Sequence, residues 1–277
     1  MDRPEGATGF ARLDDEAFPD FAPGSVWLAG SGPGAPGLLT LLAYHALQSA
    51  DVIVYDALVN CAILRWARPA ATRCYAGKRG GKPSYKQRDI SERLIELARA
   101  GHRVLRLKGG DPLIFGRGGE ECQALSRAGI PFRIVPGISS GVGGLAYAGI
   151  PVTHRDINHS VIFLTGHDAS GNVPASVNWN AVATAAPVLV MYMAVKNLPD
   201  IASQLLSNGR QREDPVAVVS QATLPEQQIV ETTLGTVGDL AASGRLVTPS
   251  IIVVGRVASL RDQLDWFVDE LKAQPLG

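Results

Sequence analysis

The sequence predicts an α/β protein of two α/β domains with a cleft between them, a mostly parallel sheet in the N-terminal domain and a mixed sheet in the C-terminal one. Three observations carry this. Between residues 25 and 135, short apolar runs alternate with segments of helical spacing, the pattern of parallel strands joined by helices. Glycine-rich loops follow the first and fourth of those runs, on the edge where open α/β sheets bind ligands. Further on, the runs at 215–220 and 228–233 have few residues between them. Parallel neighbours need a long crossover, so this spacing brings in antiparallel pairing.

Size and composition set the frame. The 277 residues suit one large domain or two ordinary ones. At 46% hydrophobic and 19% charged residues the chain is globular. Lys+Arg and Asp+Glu balance at 26 each, which argues against a nucleic-acid binder that works through a global basic field. Cys61, Cys74 and Cys122 are odd in number and form no C-x-x-C pair. No metal site or disulfide framework is expected, and a reducing cytoplasmic compartment is. There is no basic-then-apolar leader, and the longest apolar run, 185–195, is too short to span a bilayer. No membrane partner is expected.

Residues 1–23 read as a flexible tail rich in Asp, Glu, Pro and Gly, with Phe10, Phe18 and Phe21 able to dock it. The N-terminal domain is placed at 24–136. Its strands fall at 26–29, 51–56, 73–76, 103–107 and 132–135. Its helices fall at 38–47, with Thr40 inside, at 60–67, at 89–100 with Ile90, Leu94 and Leu97 on one face, and at 117–127. The C-terminal domain is placed at 137–277. It opens on a small-residue helix at 138–148 that suits close packing. Strands follow at 161–165, 187–193, 215–220, 228–233 and 250–254, with helices at 198–206 and 237–242 and a closing helix at 260–271.

The loops carry the chemistry. Gly30-Ser31-Gly32-Pro33-Gly34-Ala35 formally matches the dinucleotide fingerprint, with Asp56 where a ribose-binding acid belongs. That reading is a nicotinamide-dependent oxidoreductase. Pro33 and Pro36 weaken it, because they remove backbone donors that a pyrophosphate needs. A sulfonium cofactor carries no phosphate and suits the loops better. Gly109-Gly110-Asp111, Ser139-Ser140 and the strand end at Tyr192-Met193 offer it carbonyls, hydroxyls and a carboxylate. The segment 106–121 holds Asp111, Arg117 and a run of glycines in one strand-to-helix loop; a plain turn is the bland alternative. The loop 76–88 holds five cations and no acid, among them Lys78, Arg79, Lys82 and Lys86. A solvated surface is the ordinary reading of such a run. Here it follows a strand end on the ligand-binding edge, so a polyanionic substrate is expected. The near-absence of interleaved aromatics speaks against single-stranded nucleic acid. His154 and His167 are more often hydrogen-bonded structural residues than bases; His167 is the better placed of the two.

Taken together in order, several stretches resemble the tetrapyrrole methyltransferases: Gly30-Ser31-Gly32-Pro33-Gly34 with Leu38-Leu39-Thr40, Val54-Tyr55-Asp56, Gly77-Lys78-Arg79, the whole of 106–121, Val135-Pro136-Gly137-Ile138, Ala146-Tyr147-Ala148-Gly149-Ile150-Pro151, Thr165-Gly166-His167 and Tyr192-Met193. The resemblance covers about residues 25–267 and is nearest to members that methylate uroporphyrinogen III. It implies a homodimer with S-adenosylmethionine in the cleft, and transfers to ring carbons 2 and 7 through precorrin-1 to precorrin-2. Two S-adenosylhomocysteines leave, and the product feeds cobalamin or sirohaem. By motif match, Pro33, Gly109, Gly110, Asp111, Ile114, Ser139, Ser140, Met193 and Ala222 contact the cofactor. Asp56, Lys78 and Arg117 act on the tetrapyrrole, with Arg79, Lys82, Lys86 and Tyr192 binding it. Eight carboxylates on that substrate account for the basic loop. Ser139-Ser140 stand at the usual Thr-Ala and stay small, Ser140 adding a hydroxyl near the cofactor, while Ala194 and Ala222 stand at usual glycines and narrow the slot slightly. The matched region nearly fills the chain, so methylation alone is expected. The alternatives are a later corrinoid methyltransferase, the oxidoreductase, and a non-catalytic tetrapyrrole binder.

Overall fold

The computed structural model describes residues 18–77 and 87–272. Strands β1 (Val26–Gly30), β2 (Val52–Tyr55), β3 (Thr72–Tyr75), β4 (Val104–Lys108) and β5 (Phe132–Val135) form an all-parallel sheet in the order β3-β2-β4-β1-β5. Helices α1 (Leu41–Ser49), α2 (Cys61–Leu64), α3 (Gln87–Arg99) and α4 (Gly118–Arg127) lie between them in the chain. Side-chain alternation divides the strands between two cores. Trp27, Ala29, Ile53, Leu105 and Leu107 pack with Ala43, Leu47 and Ile63 of α1 and α2. Val26, Leu28, Val52, Val54 and Val104 pack with Leu94, Cys122 and Leu125 of α3 and α4. Full burial of one such Leu or Ile stabilises by about 1.5–3 kcal/mol. With both faces covered, β1 and β2 read as continuous apolar runs.

The second sheet contains β6 (Val161–Thr165), β7 (Val188–Tyr192), β8 (Pro215–Ser220), β9 (Gln228–Thr233) and β10 (Ser250–Val254), in the order β6-β7-β10-β8-β9. Only β6 and β7 pair in parallel; the other pairings are antiparallel. α5 (Ser140–Tyr147) packs on one face with Val257 and Ala258. α6 (Trp179–Ala185), α7 (Leu198–Ser207) and α8 (Val237–Ala242) cover the other.

Four local expectations change. Thr40 is outside its helix: a 3₁₀ turn covers Pro36–Leu38, and the Thr40 hydroxyl accepts from the Ala43 N–H at 3.3 Å as the N-cap of α1. α6 was not expected. Its short run of Ala, Val and Thr carries little periodicity, and Asn178 starts it by accepting from the Ala181 N–H at 3.1 Å. The closing helix is broken. A 3₁₀ turn Arg256–Leu260 leads to α9 (Arg261–Leu264), then extended chain, then α10 (Asp269–Lys272). In the break Trp266 donates to the Ala146 carbonyl at 2.8 Å, and Trp266 and Phe267 meet Tyr147 edge to face at 4.9 and 4.8 Å. Docking two aromatics outweighs local helix propensity. The end of the tail is packed as well. Phe21 is buried against Trp27 at 4.5 Å, and Phe18 stacks on His45 at 4.7 Å.

Candidate active site

All strands of the first sheet are parallel, so their carboxyl ends share one edge. Three loops meet there. The Ser31 N–H donates to the Lys108 carbonyl at 2.7 Å. Gly32 and Gly110 exchange two bonds, at 3.2 and 2.7 Å. A Cβ on Gly30 would lie 2.3 Å from the Gly110 oxygen and 2.6 Å from the Gly137 Cα; one on Gly137 would lie 2.3 Å from the same oxygen. Only glycine permits this approach. Asp111 laces the junction: one carboxylate oxygen accepts from the Leu113 N–H at 2.8 Å, the other from the Gly137 N–H at 3.0 Å.

The second sheet supplies the facing wall. The Ala35 N–H donates to the buried Thr223 hydroxyl at 2.8 Å, and a Cβ on Gly34 would lie 3.0 Å from the Ala222 carbonyl. The loop after β1 is thereby latched to the turn after β8. Pro33 sits over α5, its Cγ 3.4 Å from a Cβ built on Gly143; one built on Gly144 would meet Ala222 at 2.8 Å. A Cβ on Gly110 would lie 3.9 Å from the Ser139 Cα and 4.0 Å from the Ser140 nitrogen. So Pro33, Gly110, Asp111, Ser139, Ser140 and Ala222 come together, with Gly109 next in chain. Ile114 and Met193 stand exposed, as do Leu58, Leu113 and Phe115. Among the described residues, the non-glycine positions with left-handed φ are Phe115, Arg117, Met193, Gln221 and Thr223, at 51, 60, 55, 47 and 70°. All of them fall in the loops that carry these residues. Such conformations cost about 1–3 kcal/mol each and persist where surrounding contacts over-determine them.

Tyr192 ends β7. Its side chain is buried on the α5 face of β7, packed against Phe115 at 5.0 Å. Its hydroxyl accepts from the Gly141 N–H at 3.0 Å and pairs with the Ser139 hydroxyl at 2.7 Å. Burial pushes the hydroxyl pKa up, against those two hydrogen bonds. The hydroxyl anchors the start of α5.

Asp56 follows β2. One oxygen accepts from the Leu58 and Gly109 N–H groups at 3.3 and 3.4 Å; the other faces Arg106 Nη2 at 3.5 Å. Behind it lies a charged cluster that the sequence reading passed over. Arg106 Nε and Lys108 Nζ both reach Oε1 of the fully buried Glu121, each at 3.3 Å. Burial and the neighbouring Arg106 hold the Lys108 pKa below its ordinary value, with Glu121 and Asp56 opposing. The available signal was an arginine inside the apolar run of β4. Arg117 forms the N-cap of α4 and grips Glu120 through two bonds, at 2.9 and 2.7 Å. Lys78, Arg79, Lys82 and Lys86 lie outside the described residues. Gly77, just before them, packs beside the Ala57 nitrogen, where a Cβ would approach to 2.6 Å.

The dinucleotide reading of the first loop loses its physical basis. A 3₁₀ turn separates that loop from α1, so the N-terminus of the helix that follows it is not set directly behind Gly30–Gly34, as the fingerprint requires for a pyrophosphate.

Residues 25–238 match the tetrapyrrole (corrin/porphyrin) methylases. The chain is 61% identical over 257 residues to a uroporphyrinogen-III C-methyltransferase of a Sinorhizobium species, covering 92% of this chain and 91% of that one. It is 46% identical over 259 residues to a siroheme synthase of Pseudomonas fluorescens (strain Pf0-1), covering 93% of this chain but 54% of that one. The chain therefore spans about half the length of that relative. A solved uroporphyrin-III C-methyl transferase from Thermus thermophilus, complexed with S-adenyl homocysteine, superposes with a TM-score of 0.73 at 38% identity. That match covers 85% of this chain and 99% of the other.

Proposed function

The chain belongs to the tetrapyrrole (corrin/porphyrin) methylases, and we propose that it transfers methyl groups from S-adenosylmethionine to carbon atoms of uroporphyrinogen III. The transfers fall at ring carbons 2 and 7, through precorrin-1 to precorrin-2, and release two S-adenosylhomocysteines. The observation that carries this reading is the junction of Gly30, Gly110 and Gly137 facing Ala222 across the latch. It offers backbone and apolar surface, which suits a sulfonium donor. The Thermus relative, similar over nearly its full length, carries the demethylated form of that donor.

The chemistry is mainly positioning. A pyrrole carbon attacks the methyl carbon, a carbon–carbon bond forms, and the carbon–sulfur bond breaks to leave a thioether. The macrocycle takes up the positive charge and clears it by losing a proton. Asp56, held by Leu58 and Gly109, accepts that proton. Arg117 exchanges part of its grip on Glu120 for a substrate carboxylate. Lys78, Arg79, Lys82 and Lys86 anchor the remaining carboxylates. The homodimer rests on the resemblance.

Anaerobic incubation with uroporphyrinogen III and methyl-labelled S-adenosylmethionine tests the reading. Two labels per macrocycle are expected, with S-adenosylhomocysteine and not NAD binding in calorimetry. Binding of the tetrapyrrole without label transfer would mark a non-catalytic binder instead.

A further inference from the structure

We propose that Arg106, Lys108 and Glu121 are positioning residues that set the orientation and basicity of the Asp56 carboxylate from within the core. The proposal rests on the reading of Asp56 as the proton acceptor. Arg106 and Lys108 are successive residues on one face of β4, and both are buried. Packing does not demand charge there. The strand neighbours in register with Arg106 are Leu28 and Val54, both aliphatic. An ion buried without function costs several kcal/mol, and apolar replacement of such clusters is often neutral or stabilising. Arg106 spends Nε on Glu121, Nη1 on the Val54 and Leu107 carbonyls at 3.4 and 3.2 Å, and Nη2 on Asp56. Among the described residues, Asp56, about a quarter exposed, is the member of the cluster that approaches the cleft.

Among the described residues, two cations and two carboxylates balance in this network. Glu121 takes part of the Arg106 field that would otherwise fall on Asp56, and Lys108 competes for Glu121. Among the described residues, the other groups bonded to Asp56 are the Leu58 and Gly109 N–H groups. Glu120 and Cys122 on α4 sense Lys108. Lys78 follows Gly77 outside the described residues.

The signs follow. Glu121→Gln leaves Arg106 to act more strongly on Asp56, so the carboxylate holds a proton less well. Lys108→Met gives Glu121 wholly to Arg106, and Asp56 holds a proton better. The test is the pH profile of kcat for label transfer, with KM for both substrates, in wild type, Glu121→Gln, Lys108→Met and the double variant. Glu121→Gln should move the acidic limb down by about half a pH unit or more and lower kcat about tenfold. Lys108→Met should move the limb up, and the double variant, neutral again, should bring it back towards wild type. KM for S-adenosylmethionine should stay within about twofold. Active variants with unmoved limbs, or shifts of the same sign, overturn the proposal. So does loss of folding in all three variants, which would assign the cluster to stability. A wild type that transfers no label would instead sink the methyltransferase reading.

Discussion

At the scale of single residues, Asp111 and Arg117 sit in one loop and do different work. The Asp111 carboxylate closes a turn on Leu113 and ties the loop to Gly137. Its removal leaves two backbone donors without their acceptor. Asp111→Ala should therefore weaken S-adenosylhomocysteine binding by about 10- to 100-fold in calorimetry, the equivalent of roughly 1.4–2.8 kcal/mol. Arg117 points its guanidinium at Glu120 on the surface and makes no bond to that junction. Arg117→Ala should leave that affinity within about twofold and raise KM or lower kcat for the tetrapyrrole. Equal losses of cofactor affinity in both variants would refute the division. Both residues stand out in the sequence, as a carboxylate and a guanidinium among glycines in one strand-to-helix loop. The burial of Tyr192 is not legible there. Tyr-Met at a strand end says nothing about which face the ring takes, and its partner Ser139 lies far away in the chain.

At the scale of elements, the site is a product of loops held by strands. β1 and β4 are neighbours in register, so the loops that follow them leave the sheet side by side. β1 and β5 are likewise paired, which brings Gly137 to the same point. Gly137→Ala places a methyl against backbone, which cannot swing away as a side chain can. The expected cost is at least about 2 kcal/mol of stability, with S-adenosylhomocysteine binding reduced by 100-fold or more. Thermal unfolding and calorimetry on the same sample check both. A variant that bound the cofactor normally would remove the junction from the site. Strong periodicity made α3 and the parallel strands legible. α6 and the broken closing helix were not legible, because local propensity was weak in one and overridden by aromatic docking in the other.

At the scale of the whole molecule, the two sheets are joined across the site by a latch. Thr223 is fully buried, accepts from the Ala35 N–H, and is itself held by the Gln227 side chain at 2.7 Å. Gln227 reaches on to the Tyr147 carbonyl at 3.1 Å. Thr223→Val keeps the shape and removes the acceptor, so the Ala35 N–H loses its partner. Urea unfolding should show about 1–3 kcal/mol less stability, and KM for S-adenosylmethionine should rise severalfold. Thr223→Ser, which keeps the hydroxyl, should restore most of both. Loss of stability with an unchanged KM would make the latch structural alone. Nothing in the sequence marks Thr223 as a partner of Ala35.

The sequence by itself determined the α/β class, the parallel and mixed sheets, the family resemblance and the loops that line the cleft. These depend on short-range periodicity and on glycines, a carboxylate and cations gathered within single loops. Only the tertiary structure decided the rest: the glycine junction, the anchoring role of Tyr192, the latch at Thr223 and the charge network behind Asp56. Each of these joins residues far apart in the chain. Their partners, and the burial that gives a charge or hydroxyl its strength, are fixed by packing and register and leave no mark in local pattern.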